Sequence, residues 1–217
     1  MKILSSHIKE NQIEDFEKGL LLPVMEEFYS IQGEGIHTGK PAWFIRIGGC
    51  DVGCEWCDVK ESWNPLMHPL LPLDDIINKA LIIPSKYVVI TGGEPLQFNL
   101  NPLCERLHKR QFLLFLETSG SCPLTGDWEW ICLSPKKNSP PLPQLYDKAN
   151  ELKIIVSSEE DLQWAKFNAK QVNSNCNLLL QPEWSVKNKI LPVVVDFILN
   201  NPQWRLSLQT HKYIGIP

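Results

Sequence analysis

The chain has 217 residues, 43% apolar and 21% charged, an ordinary globular composition that suits one large domain or two small ones. Its 21 basic and 25 acidic residues leave a formal charge of −4, which argues against a nucleic-acid partner. No apolar run approaches the ~20 residues of a membrane span, and the first ten residues lack the apolar stretch of a signal peptide, so a cytoplasmic protein with no membrane partner is expected.

Residues 1–22 are charged and mixed, with helical spacing over 13–22, and read as an N-terminal arm before a domain over 23–217. Beyond the arm, apolar runs alternate with helical stretches. Strands are expected at 42–47, 87–91, 112–117, 130–133, 152–156, 178–181 and 205–209. These runs are rich in Val, Ile, Leu and Phe, as parallel strands covered on both faces should be. Helices are expected at 73–80, 101–110, 158–170 and 187–200. The third opens on Ser158-Glu159-Glu160-Asp161, a capping-type start, and Pro192 divides the fourth or marks its beginning. Residues 138–143, with three prolines, read as a loop. Strands alternating with helices indicate βαβ units in one parallel sheet. The chain is short of the about 250 residues of an eightfold barrel. The fold class is therefore α/β, a partial (open) β/α barrel with a mainly parallel sheet, and a doubly wound sheet is the alternative.

Each expected strand runs into small or polar residues at its C-terminal end: Gly48-Gly49-Cys50, Thr91-Gly92-Gly93-Glu94-Pro95, Thr118-Ser119-Gly120, Ser134-Pro135-Lys136, Ser157-Ser158, Gln181-Pro182-Glu183 and Thr210-His211-Lys212. Turns alone would use such residues. Parallel α/β architectures, however, bind ligands at that end of the sheet. With Arg46, Glu94, Lys136 and His211 at or beside these turns, they mark a site. His37 and His68 read as surface loop residues, and Cys104, Cys122, Cys132 and Cys176 as small buried hydrophobes.

Seven cysteines, an odd number, do not suit a disulfide framework. Three of them form Cys50-x3-Cys54-x2-Cys57 directly after a strand. Soft thiolates select iron–sulfur clusters, zinc or Cu(I). Three protein ligands leave a position open for something that reacts. A zinc-stabilised interaction module, with His68 or Cys104 as fourth ligand, is the non-enzymatic alternative. Structural zinc sites usually present two paired knuckles, however, and no second Cys-x2-Cys is present.

The cysteine triplet, followed after the next strand by Gly92-Gly93-Glu94-Pro95, resembles the radical S-adenosylmethionine (SAM) superfamily. Phe28-Tyr29-Ser30-Ile31-Gln32-Gly33-Glu34-Gly35, Phe44-Ile45-Arg46-Ile47-Gly48-Gly49-Cys50, Glu117-Thr118-Ser119-Gly120, Leu133-Ser134-Pro135-Lys136 and His211-Lys212-Tyr213-Ile214-Gly215-Ile216-Pro217 narrow the resemblance to the 7-carboxy-7-deazaguanine synthase family over residues 23–217. The resemblance implies a radical SAM catalytic domain. In it Cys50, Cys54 and Cys57 hold a 4Fe–4S cluster whose open iron is chelated by SAM. A 5′-deoxyadenosyl radical then abstracts hydrogen from 6-carboxy-5,6,7,8-tetrahydropterin, the ring contracts with loss of ammonia, and SAM is regenerated. By the same resemblance Trp56, Cys57, Asp58, Gly93, Ser134, Pro135 and Lys136 contact SAM. Ile31, Gln32, Gly33, Arg46, Thr91 and Pro217 contact the pterin, with His211 a further contact. Arg46 also suits a carboxylate on physical grounds, since its planar fork binds one bidentately. Relatives commonly carry Thr or Ser after Cys-Asp, where the hydroxyl helps bind Mg2+. Val59 stands there in this chain and offers no oxygen, so a weakened Mg2+ dependence is expected. The resemblance further implies an external flavodoxin or ferredoxin-like electron donor and a homodimer. Another short radical SAM protein, such as a glycyl-radical activating enzyme, would share the cluster motif but would not need Arg46 or a substrate-facing C-terminus.

Overall fold

Continuous burial along the apolar runs shows that both faces of the sheet are covered. The computed structural model describes residues 10–217. They form α1 (Glu10–Glu17), β1 (Leu21–Ile31), β2 (Pro41–Ile47), β3 (Leu70–Pro72), α2 (Leu73–Ala80), β4 (Tyr87–Gly92), α3 (Asn101–His108), β5 (Leu113–Thr118) and β6 (Trp130–Leu133). These are followed by α4 (Pro143–Lys148), β7 (Glu151–Val156), α5 (Asp161–Ala169), β8 (Asn177–Pro182), α6 (Lys187–Asn200), β9 (Trp204–Leu206) and α7 (Thr210–Ile214). The nine strands make one sheet in the order β3-β1-β2-β4-β5-β6-β7-β8-β9. Every pair from β2 to β9 is parallel, and β1 runs antiparallel to both its neighbours. The result is the α/β fold expected, an open and mostly parallel sheet of partial-barrel type.

On the outer face Trp43, Ile45, Ile47, Val88, Ile90, Leu114 and Leu116 are buried in one core with Ile76, Ile77, Leu103 and Leu107 of α2 and α3. Each such side chain contributes about 1.5–3 kcal/mol by leaving water. The inner face has two levels. Phe44, Val89 and Phe115, with Phe28, Tyr87 and Trp130 against them, form a separate apolar cluster that floors the lumen. One level further toward the strand C-termini lie Arg46, Thr91, Glu117, Cys132 and Glu151, where Arg46 pairs with Thr91, Glu117 with Cys132 and Cys132 with Glu151. The loop after β1 reaches across the open side of the sheet. The Gly35 N–H donates to Ser207 Oγ at 3.0 Å, and the Ile36 N–H donates to Glu151 Oε2 at 3.0 Å.

Four expectations need correction. The first concerns the arm: Phe16, Leu21 and Leu22 belong to the main core, and Leu21–Pro23 pair with β3, so the domain begins ahead of residue 23. Positions 1–9 of that arm lie outside the described residues. The second is Pro192, which neither divides α6 nor starts it. A helix-interior proline costs about 3 kcal/mol. Burial of Ile190 on one side and of Val194 and Phe197 on the other offsets that cost. Third, His37 is no surface residue: its ring stacks on Phe115 at 4.6 Å and meets Trp130 edge-on at 4.4 Å, plugging the floor of the lumen. His68 also packs inward, so closely against Gly48 that a Cβ there would lie 2.1 Å from its ring. Fourth, Cys132 is buried beside two carboxylates rather than in apolar surroundings.

Candidate active site

A cavity of about 480 Å³ opens at the C-terminal ends of the parallel strands, within the ~300–1,000 Å³ usual for small-molecule sites. Its wall includes the three cysteines with Trp56, Asp58 and Val59 of the same loop, Gly93 after β4, and Ser134 and Lys136 after β6. The same wall includes Ile31, Gln32, Gly33, Arg46, Thr91, His211 and Pro217. Of the residues expected at the site, Pro135 and Glu94 are absent from this lining. Sequence positions as far apart as 31 and 217 thus converge because β1 and α7 both end over the lumen.

The cysteine loop rests on the turn after β4. Gly93 donates its N–H to Ile47 O at 3.1 Å, and Glu94 donates to Gly49 O at 2.8 Å. A Cβ on Gly93 would lie 2.3 Å from Gly49 O, so this glycine is required by packing whatever else it touches. Glu94, which the sequence placed among the site residues, is fully buried and committed elsewhere. It accepts from Leu96 N, Thr118 Oγ1, Ser119 N and Ser119 Oγ at 2.5–3.0 Å, tying the β4 turn to the β5 turn.

The three cysteines are half-buried, and burial pushes the Cys50 and Cys54 thiols up. Among the described residues, only Glu117, Cys132 and Glu151 bring three potential ligand atoms within 4.8 Å of one another. The sulfurs of the triplet are spread more widely than that. One zinc ion, with thiolates at about 2.3 Å, would need them closer. A cluster that gives each thiolate its own iron accepts the spread. Cys104 is buried in α3 within the main core, and His68 Nε2 lies 3.0 Å from Glu61 O, so neither is placed as a fourth zinc ligand. The donor set, three free thiols on one loop, fits a 4Fe–4S cluster.

Lys153 supplies the cation for the buried acidic group. Its Nζ donates to Glu34 Oε2 at 2.6 Å and to Glu117 Oε2 at 2.9 Å. Burial raises the Glu34 carboxyl, but Lys153 and Gln209 outweigh it and hold the group at about 2. Glu151 is held above the ordinary carboxylate value, first by burial and then by the charge of Glu117. Lys136 is lowered by burial; its Nζ donates to Ser134 Oγ at 2.8 Å and lies 5.5 Å from the Trp56 ring.

The C-terminal segment closes the site through polar contacts. Lys212 Nζ donates to Asp58 Oδ2 at 2.6 Å, and Gln209 Nε2 donates to Glu34 Oε1 at 2.9 Å. Burial raises Asp58, but Lys212 and Gln209 hold it below the ordinary carboxylate value. His211 is packed so tightly over Gly33 that a Cβ there would meet its Nδ1 at 2.2 Å. Burial lowers His211, which favours the neutral ring. Ser30 Oγ donates to Pro217 O at 3.1 Å.

The model of the radical SAM superfamily matches residues 44–133, the stretch that carries the cysteine loop and the β4 turn. The 7-carboxy-7-deazaguanine synthase of Flavobacterium psychrophilum is 54% identical over 209 residues, covering 96% of this chain and 99% of that protein. The chain belongs to the 7-carboxy-7-deazaguanine synthase family. The synthase of Synechocystis is 47% identical over 89% of this chain and 93% of its own length. The crystal structure of QueE from Escherichia coli superposes with a TM-score of 0.78 at 31% identity, covering 94% of this chain and all of that one. Membership of a radical SAM family carries with it a 4Fe–4S cluster and SAM as cofactors.

Sequence reasoning missed Glu34, Glu117 and Lys153 as one charged group, although a signal was available. Lys153 interrupts the apolar run 152–156, and a lone lysine inside a covered strand requires a buried partner.

Proposed function

We infer that the chain converts 6-carboxy-5,6,7,8-tetrahydropterin to 7-carboxy-7-deazaguanine and ammonia, as a radical SAM carbon–nitrogen lyase of 7-deazapurine (queuosine/preQ0) biosynthesis. Product and ammonia together account for every atom of the substrate, so the conversion needs no net oxidant. What carries the reading is that one cavity holds three free thiols and a half-buried arginine, within a chain whose relatives share nearly its full length. When bound, the cluster and SAM supply a hydrogen-abstracting radical; Cys50, Cys54 and Cys57 would hold the first.

The remaining steps fall to side chains. Trp56, Asp58, Gly93, Ser134 and Lys136 of the cavity wall are assigned to SAM, with Pro135 between the last two. Arg46 is assigned to the substrate carboxylate, with Ile31, Gln32, Gly33, Thr91 and Pro217 around the pterin and His211 beside them. Gln32 is pre-oriented for this, its Oε1 accepting from Glu34 N at 3.1 Å. The aromatic floor of Phe28, Phe44 and Phe115 excludes water from below. Mg2+ does not fit the residues present: Val59 has no oxygen, and Asp58 Oδ2 is already engaged by Lys212. An external one-electron donor of flavodoxin or ferredoxin type, a homodimer and a cytoplasmic location complete the reading.

The test is anaerobic reconstitution with iron, sulfide, SAM, a reductant and 6-carboxytetrahydropterin. Formation of 7-carboxy-7-deazaguanine and one equivalent of ammonia is expected. SAM cleavage with no deazapurine would mean that the chain acts on a different substrate.

A further inference from the structure

Glu26 lies directly opposite Arg46 in the antiparallel β1/β2 ladder, and its Oε1 accepts from Arg46 Nε at 2.6 Å. Ordinary strand alternation would not put it there. Val24 pairs with Ile47 and is buried with it in the outer core, and Glu26, two residues on, should share that face. The register shifts between Val24 and Glu26, so Met25 is an extra residue and the phase of the strand reverses. Past the shift Glu27 pairs with Lys79 of α2, on the outer face, while Phe28 stacks on Phe44 in the lumen with ring centroids 5.0 Å apart. Without the bulge, Met25 would stand opposite Arg46.

The guanidinium is held on two sides. Glu26 takes the Nε–H, and the Phe28 ring centroid lies 6.0 Å from Arg46 Cζ. Among the described residues Arg46 makes no other side-chain hydrogen bond or ion pair. Its paired Nη donors, the edge that matches a carboxylate bidentately, are therefore left for a ligand in the cavity. A residue that blocked Arg46 would occupy that fork. Glu26 takes the one donor whose loss leaves the fork intact.

We propose, resting on Arg46 as the site of the substrate carboxylate, that Glu26 is a positioning residue delivered to Arg46 by the Met25 bulge. It orients the guanidinium through Nε so that the Nη edge meets the carboxylate without a search among rotamers. Because the pair has no net charge, recognition is set by direction more than by long-range attraction.

The experiment compares Glu26→Ala, Glu26→Gln, Arg46→Ala and the double variant Glu26→Ala/Arg46→Ala as reconstituted holoenzyme. Steady-state kinetics on 6-carboxytetrahydropterin are measured alongside the inhibition constant of tetrahydropterin, which lacks the carboxylate. Glu26→Ala is expected to raise KM about tenfold while kcat stays within about threefold and tetrahydropterin inhibition is unchanged. Glu26→Gln keeps an oxygen for Nε and should recover most of the loss, and Glu26→Ala should add nothing in the Arg46→Ala background. A fall in KM on Glu26→Ala would make Glu26 a competitor for Arg46 and overturn the proposal, as would an unchanged KM. Equal weakening of tetrahydropterin would reduce Glu26 to general support of the strand. If Arg46→Ala itself leaves KM unchanged, the carboxylate is bound elsewhere and the role of Glu26 falls with that assignment. Glu26→Met removes the acceptor and keeps the side-chain length, and serves if the alanine variant folds poorly.

Discussion

At the scale of single residues, Val59 separates this site from the pattern its loop resembles. A hard cation needs oxygen donors, and the neighbouring candidate, Asp58, is held by Lys212 at 2.6 Å and by Gln209 at 3.3 Å. The ammonium already neutralises that carboxylate. Chelation of divalent ions from the reconstituted enzyme should therefore lower turnover by less than about tenfold, a change of under 1.4 kcal/mol in the barrier. Val59→Thr should increase the response to added Mg2+. Complete loss of turnover in the chelator, restored by micromolar Mg2+, would show that another oxygen set holds the ion. The cysteine triplet and Arg46 were legible in the sequence because their chemistry is unusual for their surroundings. Glu26 was not, because its relation to Arg46 depends on one inserted residue that no periodicity reveals.

At the scale of elements, strands with uniform burial were readable and the irregular ones were not. Phe44, Val89 and Phe115 lie in runs covered on both faces, so they stand out as apolar blocks. β1 carries Pro23, Glu26 and Glu27 within its length, and its alternation changes phase at Met25, so neither block nor period survives. α7 is five residues long and has no apolar stripe to find; its position comes from Thr210 N donating to Gly33 O at 2.8 Å and from Lys212 on Asp58. This helix brings Pro217 to the cavity wall, where Ser30 Oγ meets it. Deleting Pro217 removes a wall residue assigned to the pterin and leaves the cysteine loop intact. The expected outcome is a rise of about tenfold or more in KM for the pterin, with SAM affinity changed by less than about twofold, read from equilibrium binding of each ligand. An unchanged KM would remove Pro217 from the substrate site.

At the scale of the whole molecule, the hydrophobic core and the reactive loop are separate constructions. The main core runs from Phe16 to Trp204 through residues of the strands and of the helices packed on them, and of the residues from Cys50 to Cys57 only Val52 is buried. The loop is positioned by contacts that need no metal, among them Gly49 N on Ser62 O at 2.6 Å, Cys50 N on Trp63 O at 3.1 Å and Glu94 N on Gly49 O at 2.8 Å. A small metal-stapled module behaves oppositely, since its binding energy is its folding energy. Here the sheet buries enough apolar surface to fold without the cluster, and loss of the metal should be felt locally, as opening of the loop rather than of the sheet. The protein stripped of iron and sulfide should keep its far-UV circular dichroism and one cooperative thermal transition, while SAM cleavage falls to background. Hydrogen exchange should rise over residues 50–63 and stay protected in β4, β5 and β7. A stripped protein without a cooperative transition would mean that the cysteine triplet staples the fold, and that its three thiols had been selected for structure as well as for chemistry.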